Sequence, residues 1–587
     1  MLSFSERVGM LTRCCSFAVA ICALFCISAR AELISVDSNG ARMGSPSTGG
    51  TYPSFSGDGR YVAFDSVYPV GSPGTNTFNV FVRDRQNRTT TLVSVSSANP
   101  RIGGNSSSGG PTITSDGRYV FFFSYATDLV PGITYTPGGN TYNFFRRDLV
   151  TGTTVLVSVD PTGTTAGNGN SSAGPNQITP DGRFVAFQSD ATNLDSRTVS
   201  GHSDIYVRDL TRNTTELITV DPSGTTASNV NAAGLGGSYA PVISADGRYV
   251  AYYSYSTNLV NGITYNPNTD NLFLRDRMNG TTSLISIGTD GISAANGPTN
   301  QPTMSADGSK IAFTSQASNL VAGITYAQNP FPGISFPTNP NVFLWDRMTN
   351  TTIVVSKAAI GNDTGGGASP AISPDGSTIA FLSTGTNLTV GNNYLTNPFT
   401  NSPVLNLFVY DVPGKTVSLL SGAEGSNDAA NADVYPGSPA TSADGAQIAF
   451  ASYATNIVKA NYPGTGAVTP QNVFLADSAA NTMTLVTGGN ASYFYAPVIS
   501  QSGQYVASSN GNVLLAYPDW PSSGSTPPGT PPGTVPMGGG GGGGGGGCAS
   551  VTVTQKGDYG LLMLLLAAFG YRYWSGRKLR PRQIPTA

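Results

Sequence analysis

A Ser/Thr-x-Asp-Gly step recurs along this chain at Asp58-Gly59, Asp116-Gly117, Asp181-Gly182, Asp246-Gly247, Asp307-Gly308, Asp375-Gly376 and Asp444-Gly445, and a decayed eighth copy stands at Ser502-Gly503. Successive copies lie 58 to 69 residues apart. A fixed period of tens of residues means one supersecondary unit repeated, which constrains the fold more than any compositional figure. Asp-Gly between apolar runs is a strong signal for a tight hairpin, because glycine accepts the positive φ that such a turn requires.

Around each turn the order of segments is the same. In the second copy it reads Pro111-Thr112-Ile113-Thr114, the turn, Arg118 to Ser124, Asn143 to Asp148, and Thr153 to Val159. These are four short strands, and four-stranded units repeated radially are the pattern of a β-propeller. The expected fold class is therefore all-β, an eight-bladed propeller over residues 32–518. Ring closure follows from the same count: the last unit lacks its outer strand, while Glu32 to Asp37 matches an outer strand, Glu216 to Asp221, and has no unit in front of it. The N-terminal strand is expected to complete the last sheet and remove an open edge. Composition agrees, with 72 Gly, 39 Pro and only 11% charged residues in 587.

At these residues the chain resembles the TolB-type, WD-repeat-like propeller family, whose repeats carry Pro-x-Ile/Phe-Ser-x-Asp-Gly-x-x-Ile/Val-Ala-Phe, as Pro370 to Phe381 do here. The resemblance implies the fold. It implies no single function, since the family includes periplasmic partners of envelope complexes, surface proteins and non-catalytic domains of peptidases, and the separate N-terminal domain of TolB is missing. The Ser-x-Asp-Gly copies also resemble the sialidase Asp-box, without its Gly-x-Thr-Trp continuation.

Both ends read as addresses. Arg7 and Arg13, the apolar stretch Cys14 to Ile27 and Ala29-Arg30-Ala31 have the three parts of a secretory signal, residues 1–31, with cleavage expected after Ala31. Residues 519–557 form a Pro/Gly-rich linker that ends in ten glycines, Gly538 to Gly547, and Cys548. Residues 558–587 hold a hydrophobic helix and the basic cluster Arg572, Arg577, Lys578, Arg580 and Arg582. This order resembles the Gly-rich bacterial C-terminal sorting signals, the CTERM class. The resemblance implies a tail held in the membrane through residues 559–574, processing or modification at Cys548 by the C-terminal processing machinery, and passage to the surface. A permanent anchor is the alternative. Four of the five cysteines precede residue 27 and the fifth is Cys548, so an exported body in between has none from which to form disulfides.

Charge and residue types exclude several functions. The net charge is −3, and the few Lys and Arg are spread along the repeats, so no basic stripe exists for nucleic acid. A single histidine, His202, excludes a histidine-rich metal site; it stands in a Ser-Gly-His-Ser-Asp loop without a nucleophile motif and is read as a solvated loop residue. Asp84, Asp148, Asp209, Asp276 and Asp346 end the third strands. Because they repeat, they are read as turn-holding hydrogen bonds rather than catalytic acids. The loops Asp160-Pro-Thr-Gly and Asp221-Pro-Ser-Gly could hold calcium, but no Asp-rich ligand spacing supports it, and no cofactor is expected.

Short first-to-second and third-to-fourth turns fall on one face, and the long variable segments Tyr125 to Thr141, Ser315 to Pro340 and Thr384 to Val404 on the other. Variable loops on a rigid scaffold usually house recognition. They carry Gly-Ile-Thr-Tyr three times, with Tyr135, Tyr265 and Tyr326 as candidate ligand-binding residues. Periodic aromatics more often lock one blade to the next. The expectation is thus an exported, envelope- or surface-attached, monomeric, non-catalytic propeller that binds a protein, peptide or glycan at the cell envelope. The alternatives are a glycan- or peptide-directed hydrolase or lyase using the central channel, and a structural surface-layer or adhesin component.

Overall fold

A computed structural model describes residues 30–37, 39–43, 51–67, 77–136, 141–198, 202–327, 339–396, 402–437, 439–459, 471–480, 482–487, 497–509 and 513–517. Its sheets are four-stranded antiparallel meanders. In the second unit the strands Ser108–Ile113, Tyr119–Ser124, Asn143–Asp148 and Thr153–Leu156 are hydrogen-bonded in that order. The second and third strands are largely buried, as strands covered on both faces are. Aromatic pairs face each other across them, including Phe122 and Phe145 at 5.8 Å, Phe313 and Phe343 at 5.5 Å, and Phe450 and Phe474 at 5.4 Å. The core lies between neighbouring sheets: Ala63, Val80 and Val82 of the first unit pack with Val120, Phe122 and Phe145 of the second.

The number of blades is corrected by the strand order. Seven four-stranded blades are each built from consecutive strands, beginning at Thr51, Ser108, Ser171, Ser238, Thr299, Ala368 and Ala440. The four strands that remain do not form an eighth unit of the same kind. They make a composite sheet of Val498–Ile499, Val506–Ser509, Val513–Tyr517 and, from the other end of the described chain, Arg30–Leu33. The closing strand pairs Arg30 with Tyr517 through Leu33 with Leu514, so it lies earlier than the expected Glu32 to Asp37. From Ile34 the chain leaves the edge to bury Ile34 and Met43 against Val62, Phe64 and Phe81 of the first blade. Ala31 sits within this strand opposite Ala516, so cleavage after Ala31 removes two of its four residues. The expected signal core, linker, Cys548 and C-terminal helix lie outside the described residues. Among the described residues the only helix is a 3-10 turn, Pro175–Gln177, and none is long and apolar enough to cross a membrane.

Each Ser/Thr-x-Asp-Gly step is a closed hydrogen-bond unit. Ser56 donates to Asp58 (2.6 Å) while its Oγ accepts from the Tyr61 amide (3.0 Å), and Asp58 also accepts from the Arg60 amide (2.9 Å). The same bonds recur at Thr114, Thr179, Ser244, Ser305, Ser373 and Ser442. The glycine takes φ of 66° to 73° in every copy.

Candidate functional site

The turns that precede Asp-Gly are laced together. Gly57 N–H donates to Ser115 O (2.8 Å), Ser115 to Pro180 O (3.3 Å), Ala245 to Ala306 O (2.7 Å), Ala306 to Pro374 O (2.7 Å) and Ala443 to Gln501 O (3.0 Å). Pro374 has no N–H, and the next residue, Asp375, donates to Ala443 O instead (3.1 Å). The Ser115 hydroxyl reaches past Gly57 to Gln501 at 2.9 Å. A Cβ on Gly57 would lie 2.3 Å from that hydroxyl, so only glycine fits there. This seam ties the turns of neighbouring blades to one another on the turn face.

The repeated acids are on the same face and are committed. Asp84, Asp148, Asp209 and Asp276 each receive an Arg two residues beyond a turn aspartate, with contacts of 2.7 to 2.9 Å from Arg60, Arg118, Arg183 and Arg248. They also cap the following turn, as Asp148 does for the amides of Val150 and Thr151. Burial opposes ionisation of Asp148 and Asp209. The arginines and turn amides outweigh it and hold both carboxyls at about 2. In the fifth blade Asp346 keeps the amide cap to Met348 (2.8 Å), but Ser309 stands where the others have arginine.

The candidate tyrosines belong to packing. Tyr326 is buried against Phe343 (6.4 Å), and its hydroxyl donates to Val321 O. Tyr265 packs on Phe273 at 6.4 Å and donates to Val260 O. Tyr135 is half-buried in the cluster between the first two blades, and burial pushes its hydroxyl up to about 12. The three sit in different blades and do not converge on one site. Asp160 and Asp221 cap their own loops, accepting the amides of Thr164 and Thr165 and of Thr225 and Thr226. No group of three His, Cys, Asp or Glu side chains suited to a metal occurs among the described residues.

What singles out one part of the long-loop face is the third blade. In six blades Asn stands at the start of the third strand, first at 143, 271, 341, 406 and 472 and second, after Phe78, at 79; in five of these the described bonds show its Oδ1 accepting a serine hydroxyl from the fourth-strand side, as from Ser94 and Ser158. The third blade has Asp204 instead, accepting from Thr219 (2.6 Å) and Ser228 (2.5 Å). Burial pushes its carboxyl up, against those two hydroxyls. His202 lies beside it, Nε2 to Oδ2 3.8 Å, with both side chains 2% exposed. The solvated loop position expected for His202 is thus corrected. The ring turns inward because Nε2 finds Ser228 O at 3.1 Å, which makes Nε2 the protonated nitrogen, and because Gly236 leaves room beside the ring. Nδ1 is buried and has no hydrogen-bond partner among the described residues. The innermost strand of this blade is also broken, reduced to Ser171–Ser172 and the Pro175–Gln177 turn.

Aromatic side chains flank this irregular blade. On one side Tyr142 contacts Phe123 (5.7 Å) and Tyr125 (5.5 Å); on the other Tyr239 contacts Tyr253 (5.6 Å). Between them the exposed Asp190 accepts the Ser203 hydroxyl. Asp270, in the next blade, is buried with its Oδ1 on the Thr299 amide (3.0 Å), and burial raises its carboxyl to about 7. Asp190, His202 and Asp204 were missed as a group. The Asn-to-Asp exchange at 204 was the signal that could have found them.

No protein-family model and no curated protein matches this chain. Among solved structures it is similar to the oligogalacturonate lyase of Vibrio parahaemolyticus, at 12% identity over 84% of this chain and 97% of that one, with a TM-score of 0.40. It is similar to dipeptidyl peptidase 4 of Porphyromonas gingivalis at 12% identity over 79% and 56%, TM-score 0.45. It is similar to TolB of Acinetobacter baumannii at 15% identity over 64% and 76%, TM-score 0.28. These are likenesses of fold, which the strand order already establishes, and they carry nothing about function.

Proposed function

We propose that the chain is an exported, envelope- or surface-attached, non-catalytic propeller that binds a protein, peptide or glycan through its long-loop face. The observation that carries this reading is the contrast between the faces. On the turn face most acids are spent on arginines and turn amides. The loop face holds the non-repeating groups, with aromatic clusters on either side of an exposed carboxylate. His202 is buried with Nε2 on a carbonyl, and therefore offers no exposed base to a substrate. The address segments at both termini support export and attachment.

The test is a screen of the purified full-length protein against envelope proteins, peptides and oligosaccharides, beside a variant whose second-to-third-strand loops are replaced by tight turns. The variant should keep the melting transition of the parent and lose binding. Binding that survives the replacement refutes the face assignment, and turnover of a bound glycan or peptide refutes the non-catalytic reading.

A further inference from the structure

The repeat places equivalent residues at equivalent points around the ring. The residue that follows the last Ser of each second strand is Tyr125 in the second blade, Asp190 in the third and Tyr255 in the fourth. Their backbones confirm the equivalence: each amide donates to the carbonyl of the residue that opens or precedes its own innermost strand, Tyr125 to Ser107 (3.0 Å), Asp190 to Asn170 (3.0 Å) and Tyr255 to Gly237 (3.2 Å). Three consecutive blades thus carry tyrosine, aspartate and tyrosine at equivalent positions on the loop face, an arc of three residues.

Hydrogen bonds bind the aspartate to both aromatic clusters. Asn170, which takes the Asp190 amide on its carbonyl, takes the Tyr142 amide on its side chain (3.2 Å). Ser203, whose hydroxyl donates to Asp190, accepts the amide of Ser238, the neighbour of Tyr239 (2.8 Å). Gly169 packs on the Asp190 backbone so closely that a Cβ there would lie 2.4 Å from the Asp190 carbonyl carbon. The Asp190 backbone is therefore fixed by Asn170 and Gly169, and its carboxylate by the Ser203 hydroxyl. It is exposed, and no Lys, Arg or His pairs with it among the described residues. Of the amide side chains nearby, Gln188 Oε1 accepts from Ala240, and Asn231 donates to the carbonyls of Tyr255 and Pro267.

A fixed carboxylate between aromatic rings suits a cation better than a neutral hydroxyl-bearing ligand. Ring faces attract ammonium and guanidinium groups, and the carboxylate completes the charge pair. We infer that the Tyr125, Asp190 and Tyr255 arc is a seat for a basic side chain, Lys or Arg, presented by an exposed segment of a protein partner. This rests on the loop face being the binding face.

The probes are capped hexapeptides with one central Lys, Arg, acetyl-lysine or norleucine, titrated into the full-length protein, together with spermidine and neutral hexose oligomers. Lys and Arg peptides are expected to bind and to weaken with salt, while acetyl-lysine and norleucine bind about tenfold more weakly. Asp190→Asn keeps the acceptor for Ser203 and should cost about tenfold with an unchanged melting temperature; Gly169→Ala, which moves the carboxylate, should cost a similar factor. Equal binding of Lys and norleucine peptides overturns the seat, as does Asp190-dependent binding of hexose oligomers or a spermidine affinity that matches the peptides. A loop-face ligand unaffected by Asp190→Asn overturns this inference alone. If no probe or envelope component depends on the loop face, the proposed function falls with it.

Discussion

The repeated carboxylates of the turn face and two buried carboxylates of the loop face stand in opposite states. On the turn face Asp84, Asp148, Asp209 and Asp276 are held ionised by arginine and turn amides, a pattern repeated in four consecutive blades. On the loop face Asp204 and Asp270 are buried without a cationic side chain within hydrogen-bond reach, and burial pushes both up. Repetition marks groups that hold the scaffold. Departure from the repeat marks where local stability has been given up, as binding and reaction sites usually require.

The contrast breaks most readily at Asp270. Its carboxyl stands at about 7 in the folded chain, against roughly 3.9 in an unfolded one. The folded state binds that proton more tightly, so the contribution is fully present below about pH 4 and is lost as pH rises through 7. Three units correspond to about 4 kcal/mol. Asp270→Asn, which keeps an acceptor for Thr299, should stabilise the protein by about 3 to 4 kcal/mol at pH 8 and hardly at all at pH 4, as urea melts at the two pH values would read. A gain independent of pH would place the cause elsewhere.

Next in size is the seam between the turns. Gly57→Val puts atoms where the Ser115 hydroxyl and the Gln501 side chain meet, and should cost about 1 to 3 kcal/mol. Gly132→Val is the loop-face control. Its Cβ would meet nothing within 4 Å, so only the positive φ of 76° resists it. Thermal melts should rank Gly57→Val as the more harmful. The reverse order would mean that backbone strain outweighs the crowding at Gly57.

The turn-face acids should act with the opposite sign of pH dependence. Asp148 and Asp209 lie at about 2, so their contribution is present above about pH 4 and disappears as pH falls from there towards 2. Arg118 and Arg183 are 43% and 34% exposed, and solvent screening keeps the worth of each pair small. Asp148→Asn should lower stability modestly at pH 7 and less at pH 2, where the parent carboxyl is itself becoming neutral. An equal loss at both would show that the turn amides, and not Arg118, do the holding.

The scaffold was legible because its signals are local. Ser56, Asp58 and Gly59 close a turn within four residues, and seven near-identical copies leave no other reading of the register. The composite sheet was legible from counting strands, but its start was not: Glu32 to Asp37 matches an outer strand in pattern, while Ile34 and Met43 gain more by burial against the first blade, which ends the pairing at Leu33. The loop-face arc was hidden because Tyr125, Asp190 and Tyr255 fall in three different repeats and line up only once the second strands of the blades are matched. The same reasoning misplaced His202, whose partner Ser228 lies 26 residues away on another loop.

The smallest expected effect is also the one that tests whether the third blade differs by design. Asp204→Asn restores the residue that stands at the start of the third strand in six other blades, and an amide oxygen can still accept from Thr219 and Ser228. Removing a buried carboxylate should stabilise the chain at pH 8, by less than Asp270→Asn, because two hydroxyls and the nearby imidazole already support the charge at 204. The gain should shrink as pH falls, since a raised carboxyl takes up its proton early, and it should come with altered binding at the arc. Asp204 sits next to Ser203, which fixes Asp190. A more stable protein with unchanged affinity for the Lys peptide would mean that the exchange at 204 is a tolerated irregularity of the repeat and that Asp190 is positioned without it.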